Sequence, residues 1–202
     1  TDYRADPVLP IPILFQAGYL TIKDYNKFSK LYRLGFPNDE VRYGFLHNLI
    51  PAYTSIRADR TGVSVWQFYE QIEKGDVEGF MEKMKGIISG IPYDTVTEKD
   101  IALREQNYQT AVYLVFALMN QFVHTEVHCA TGRIDCTIEM KDKIYLFEFK
   151  VAANGSAEDA IKQIQEKGYA DKYAGSGKKV IAIGSSFDEV KRTIKDWKTE
   201  QL

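Results

Sequence analysis

The chain has 202 residues, 45% of them hydrophobic, 27% charged and 13% aromatic, with 26 basic against 28 acidic side chains and a net charge of −2. That much apolar surface excludes disorder as the main state, and a chain of this length supports a domain of ordinary size without a disulfide or metal staple. The charge excludes a dedicated nucleic-acid coat or membrane-surface protein, and no apolar run approaches the ~18 residues of a membrane span.

Cys129 and Cys136 form no disulfide framework, which fits a reducing compartment. The N-terminus has neither a signal-peptide pattern nor a starting Met. A soluble cytoplasmic protein, or an excised piece of one, is expected.

Pro7, Pro10 and Pro12 predict an extended lead-in over residues 1–12, followed by a short apolar segment, Ile13 to Ile22, broken by Gly18. Residues 30–36 read as a strand stopped by Pro37-Asn38. Asn38 can cap a helix from Asp39 to Ile50, with Asp39 and Glu40 in its first turn and Pro51 ending it.

Residues 64–90 predict two amphipathic helices, capped by Ser64 and Asp76. The stripe Val77, Phe80, Met81, Met84, Ile87 and Ile88 has helical spacing and reads as core packing rather than a cofactor box. Ile91-Pro92-Tyr93-Asp94 is a turn and a soft boundary. It divides a mainly helical accessory region, 1–95, from a second domain, 96–202.

From about Asp100 to Met119 the period is helical again. Residues 122–129, 133–140, 144–151 and 179–184 are short and rich in β-branched and aromatic side chains, hence strands. A helix over 157–167 separates the last two, opened by a variant capping box (Ser156, Asp159) and closed by Gly168. A short strand or helix is expected around Thr193–Trp197.

The segment from Gly132 to Lys150 carries the chemistry. If its two strands turn around Lys141-Asp142, Ile134 faces Phe149, Cys136 faces Phe147 and Ile138 faces Tyr145, giving one wholly apolar face. On the other face Asp135 falls opposite Glu148, with Lys150 two residues further on. Directly paired Cβ atoms lie about 5 Å apart, so the two carboxylates repel unless something offsets them. A divalent cation would do so, because Mg²⁺ takes oxygen ligands and is commonly held by one or two carboxylates. Lys150 could orient or help deprotonate an attacking water, or stabilise charge building on phosphorus. The competing reading is a solvated strand face with a Glu–Lys ion pair. The strand around them, however, is apolar on both faces, where ionisable groups are costly unless used.

Asp135 followed 13 residues later by Glu148-x-Lys150 resembles the PD-(D/E)xK nuclease superfamily. Further text is similar to the nuclease domain found C-terminal to an AAA-ATPase-like module in many bacterial proteins. This text comprises Ala157-x-x-Ala160-Ile161-x-Gln163-Ile164-x-Glu166-Lys167-Gly168-Tyr169, the run Lys179–Gly184, and Lys191-Arg192-x-Ile194-x-x-Trp197. Gly18–Ile22 and Phe36-Pro37-Asn38-x-Glu40-Val41 resemble the segment linking the two modules.

The resemblance implies an α/β fold: a restriction-endonuclease-like mixed sheet flanked by helices, preceded by a mainly helical N-terminal region. It matches Asp135 and Glu148 to metal-binding acids, with the Phe149 carbonyl completing the set, and Lys150 to the catalytic lysine. Glu105 matches an additional acid and Gln163 a recurrent polar residue near the site, while Arg133 and Tyr169 would contact phosphate or brace it. The implied activity is Mg²⁺- or Mn²⁺-dependent phosphodiester hydrolysis on DNA, as part of a larger ATPase-linked protein. A non-catalytic nuclease-fold module regulating such an ATPase is the alternative. A third reading gives residues 1–95 a protein partner.

Two other signals carry little. Gly175-Ser176-Gly177-Lys178-Lys179 lacks the first glycine and the Ser/Thr of a phosphate loop, since Lys172 and Lys179 stand in those places. His124, His128, Cys129 and Cys136 lack the paired Cys-x₂₋₄-Cys of structural zinc, and adjacent strand residues point to opposite faces. Glu126, two residues from each histidine, is placed either near the site or in solvent, and His47 reads as a surface or satisfied core histidine.

Overall fold

The computed structural model describes residues 10–89, 111–119, 135–188, 190–191 and 193–202, and the backbone of 126–129. Two compact units divide at Asn48/Leu49.

The first unit opens with α1 (Pro10–Gln16). Prolines at 10 and 12 do not hold the chain extended there, because a helix's first turn has no use for their missing N–H groups. Gly18 (φ +80°) turns the chain into a hairpin of β1 (Thr21–Asn26) and β2 (Leu31–Gly35). Tyr25 stacks on Tyr32 across it at 4.7 Å. The Asn38 side chain accepts from the Val41 amide (2.9 Å) and caps α2 (Asp39–Tyr53), as its position predicts. Pro51 does not end α2. It lies in the last turn, where a single hydrogen bond is forfeited, and the helix runs to Tyr53.

In the second unit α3 (Thr61–Lys74) starts three residues before the expected cap, after a 3₁₀ turn at Ala58–Arg60, so Ser64 lies inside the helix. Asp76 does cap α4 (Val77–Ser89), accepting from the Gly79 amide at 2.9 Å. The helical stretch 111–119, α5, is nearly all buried. The sheet has the order β3 (Glu126–Cys129), β4 (Cys136–Glu139), β5 (Lys143–Val151), β6 (Lys179–Asp188), β7 (Thr193–Gln201). Among the described strands β5 and β6 are parallel, joined through α6 (Ala157–Glu166), and the other neighbours are antiparallel. The last element is a strand, and β6 continues four residues beyond Gly184.

Alternation sorts the sheet into two faces. Tyr145 and Phe147 turn toward α3, α4 and α5: the Tyr145 hydroxyl donates to the Ile72 carbonyl (2.8 Å), and Phe147 meets Phe80 (5.6 Å) and Phe116 (5.0 Å). Ile144 and Leu146, with Val180 and Ala182, turn toward Ile161 and Ile164 of α6. A mixed sheet flanked by helices is the restriction-endonuclease-like architecture the sequence implies. Two of the helices expected in region 1–95, α3 and α4, are part of the unit that carries the sheet.

Candidate active site

The hairpin register is the one the turn at Lys141-Asp142 predicts. Cys136 pairs with Phe147, Thr137 with Leu146 and Ile138 with Tyr145, and the Met140 amide donates to the Lys143 carbonyl (2.8 Å). Asp135 lies one residue past the ladder's end, beside Glu148. Its Oδ2 accepts from the Phe149 amide at 2.7 Å, which fixes it at the mouth of the hairpin.

Glu148 and Lys150 continue the row Ile144, Leu146 and therefore face α6. The helix is held there by two devices. Its Ser156–Asp159 capping box is complete, with the Ser156 amide donating to Asp159 (2.9 Å) and the Asp159 amide to Ser156 (3.1 Å). Beneath its first turn, Gly184 pairs with Glu148 in the parallel ladder. A Cβ at 184 would collide with the Ala157 carbonyl and stand 3.0 Å from Ala160 Cβ, so α6 approaches this closely only over glycine.

Close approach brings Gln163 onto the acid. Its amide nitrogen donates to Glu148 Oε1 while its carbonyl accepts from the Lys150 ammonium, and Lys150 also donates to Glu148 Oε1 at 3.4 Å. Glu148 is 3% exposed and its Oε2 has no hydrogen-bond partner among the described residues. Burial, and then the nearby Asp135 charge, push its pKa up to about 7, against the opposing pull of Lys150 and the Asp135 backbone. A buried carboxylate with an unused oxygen is a costly arrangement in an apolar sheet, and a cation is the natural complement.

Asp135, Glu148, Lys150 and Gln163 are thus brought together, with the Phe149 backbone between them. Tyr169 is elsewhere: it packs on the apolar cluster under α6. Glu105, Arg133 and His124 lie outside the described residues, as do the side chains of Glu126, His128 and Cys129. Cys136 is buried on the aromatic face, away from the acids. No group of three His, Cys, Asp or Glu side chains suited to a metal occurs among the described residues. Any ion here would draw on two carboxylates and backbone or solvent oxygen, a hard donor set suited to Mg²⁺ or Mn²⁺. Gly175–Lys179 forms a turn into β6, anchored by Lys178 to Glu139 (2.6 Å).

Two neighbours have no signal in the local sequence. Gly184 and Ser186 flank the acid and the lysine only because β6 runs parallel to β5 in this register, pairing Ser186 with Lys150.

Residues 103–197 match the PD-(D/E)XK nuclease superfamily. The matched region contains Asp135, Glu148, Lys150 and Gln163. The chain is also 33% identical over 195 residues to an uncharacterized protein in the vnfD 5′ region of Azotobacter chroococcum mcd 1. That alignment covers 94% of this chain and 37% of the relative, so the chain spans little more than a third of its length. No solved structure matches. No helix among the described residues is long and apolar enough to cross a membrane.

Proposed function

We propose that the chain carries a divalent-metal-dependent phosphodiesterase acting on DNA, with Asp135, Glu148 and Lys150 at its centre. The supporting observation is the buried Glu148 carboxylate, one oxygen held by Lys150 and Gln163 and the other without a partner among the described residues, beside Asp135. Glu148, Asp135 and the Phe149 carbonyl would hold Mg²⁺ or Mn²⁺. When bound, the ion supplies Lewis acidity to the phosphodiester and lowers the pKa of water.

The chain's own residues do the rest. Phe149's amide holds Asp135 in place. Gln163 donates to the acid and accepts from the lysine, and so holds both side chains at the site. Lys150, with a partly exposed side chain, orients the attacking water and neutralises charge on the phosphate oxygens. Glu105 would supply a further acid and Arg133 a phosphate contact. The −2 net charge gives no basic footprint, so DNA affinity of the isolated chain should be modest.

A larger architecture fits the length of the Azotobacter relative, and the resemblance of residues 18–22 and 36–41 to an intermodule segment points to an ATPase-like module. With no disulfide framework, the reducing cytoplasm suits it. Plasmid nicking tests the catalytic reading: Asp135→Ala and Lys150→Ala should each abolish Mg²⁺-dependent nicking while the circular dichroism spectrum stays native. Full activity in either variant sinks the assignment. Metal binding without cleavage of any DNA would favour the regulatory module.

A further inference from the structure

Four buried side-chain polar atoms have no hydrogen-bond partner among the described residues, and three of them are on one face of the sheet. Glu148 Oε2 is the first. Thr137 Oγ1 is on β4, opposite Leu146, and Ser186 Oγ is on β6, in register with Lys150. Leu146, Glu148 and Lys150 face α6, and directly paired residues share a face, so both hydroxyls are on the α6 side with the acid. The fourth, Gln71 Oε1, is on α3.

Ser186 has two further marks. It is 1% exposed, so no bulk water satisfies it. It also sits where the β6–β7 ladder slips register, between Ser186 and Phe187, and bulges re-aim side chains and recur beside active sites. On its β7 side it pairs with Asp196, while the adjacent Ser185, on the opposite face, donates to the Asp196 carbonyl (3.4 Å). A buried hydroxyl without a partner costs stability, so its presence calls for a use.

The Lys150 ammonium has three donors, two of them directed at Glu148 and Gln163. A cation bound through Oε2 of Glu148 weakens the hold of Oε1 on the Lys150 ammonium, because two positive charges then repel each other across one carboxylate. We infer that Ser186 is a positioning residue for Lys150: its oxygen accepts the ammonium when a metal ion claims Glu148, and so keeps the lysine at the site. This inference rests on the nuclease reading. It goes further in assigning a residue that neither the superfamily match nor the motif marks.

The test is Ser186→Ala in the full chain, with Ser185→Ala as control, read by thermal unfolding, Mn²⁺ titration calorimetry and plasmid nicking. Removing an unpartnered hydroxyl should leave the melting temperature unchanged or higher. Removing an acceptor from a charged group should lower kcat roughly tenfold or more, with KM within about twofold. Mn²⁺ affinity should fall several-fold, because the displaced lysine has nowhere to go. Ser185→Ala should keep wild-type kcat and Mn²⁺ affinity. A Ser186→Ala protein with wild-type kcat and Mn²⁺ affinity overturns the inference and leaves the nuclease reading intact. So does one that loses stability and activity in proportion. If the wild-type chain binds Mn²⁺ but cuts nothing, the nuclease reading fails, and calorimetry alone still decides on Ser186. If it neither binds nor cuts, both fall.

Discussion

The two faces of β5 belong to the same nine residues and do opposite work. One, Tyr145 and Phe147, is closed by rings from α4 and α5 and by a hydrogen bond to α3. The other begins as apolar as the first, with Ile144 and Leu146 under α6, then turns ionisable at the buried Glu148 and the partly exposed Lys150. A strand that only needed to be stable would end as it begins. The break in pattern, inside a largely buried strand, separates the part of this molecule that holds the fold from the part that carries the ionisable cluster.

The sharpest way to break that contrast is at Phe147. Its ring is fully buried against Phe80 and Phe116, and truncation leaves a cavity among aromatic neighbours that cannot collapse easily. Phe147→Ala should cost about 3–5 kcal/mol in urea unfolding. It should leave cleavage per folded molecule close to wild type, since the ring points away from the acids. A variant that stays stable, or that loses cleavage while folded, would show that the two faces are not separable.

Glu148 gives the opposite signature. Its carboxyl is held up to about 7, so the unfolded chain releases this proton first as pH rises. The contribution to stability is fully present below about 4.5, the ordinary carboxylate value, and is lost as pH rises through about 7. Glu148→Gln removes the titration and retains an amide that Gln163 and Lys150 can still meet. The wild type should therefore lose on the order of 2–3 kcal/mol relative to the variant between pH 4.5 and 8, in the absence of divalent ions. Added Mn²⁺ at pH 8 should restore stability to the wild type and not to Glu148→Gln. Parallel pH profiles for the two proteins would remove the buried charge from the account.

Much of this was readable in the residues. Alternation through 134–150 with a single polar turn left one register, and in that register two acids converge; Asn38, Asp76 and Ser156 marked helix starts because their side chains replace missing backbone partners. The departures from the local pattern have physical reasons. Prolines 10, 12 and 51 were tolerated in first and last turns, where they disrupt least. The start of α3 shifted because no side chain caps it: the backbone runs into it from a 3₁₀ turn. Gln163 entered through family resemblance, since its distance from Glu148 depends on how closely α6 sits. The parallel pairing of β5 with β6 is set by a crossover helix rather than a tight turn, so nothing local fixes which residue of β6 stands beside Lys150.

That dependence on α6 supplies the smallest and most specific test. Gly184 has no need of a left-handed backbone; its value is the space above it, where the Ala157 carbonyl and Ala160 and Ile161 side chains stand. Gly184→Ala must push the first turn of α6 outward, at a cost of about 1–3 kcal/mol for overpacking. Gly86 is the useful comparison: it lies within α4 with nothing among the described residues within 4 Å of an added Cβ, so Gly86→Ala should stabilise by about 0.5–1 kcal/mol. The same chemical change then has opposite signs at the two glycines. The outward shift at 184 also carries Gln163 away from Glu148 and Lys150, so cleavage per folded molecule should fall at 184 and hold at 86. Equal stability changes at the two positions would mean that α6 yields freely, and that the placement of Gln163 rests on something other than its fit over Gly184.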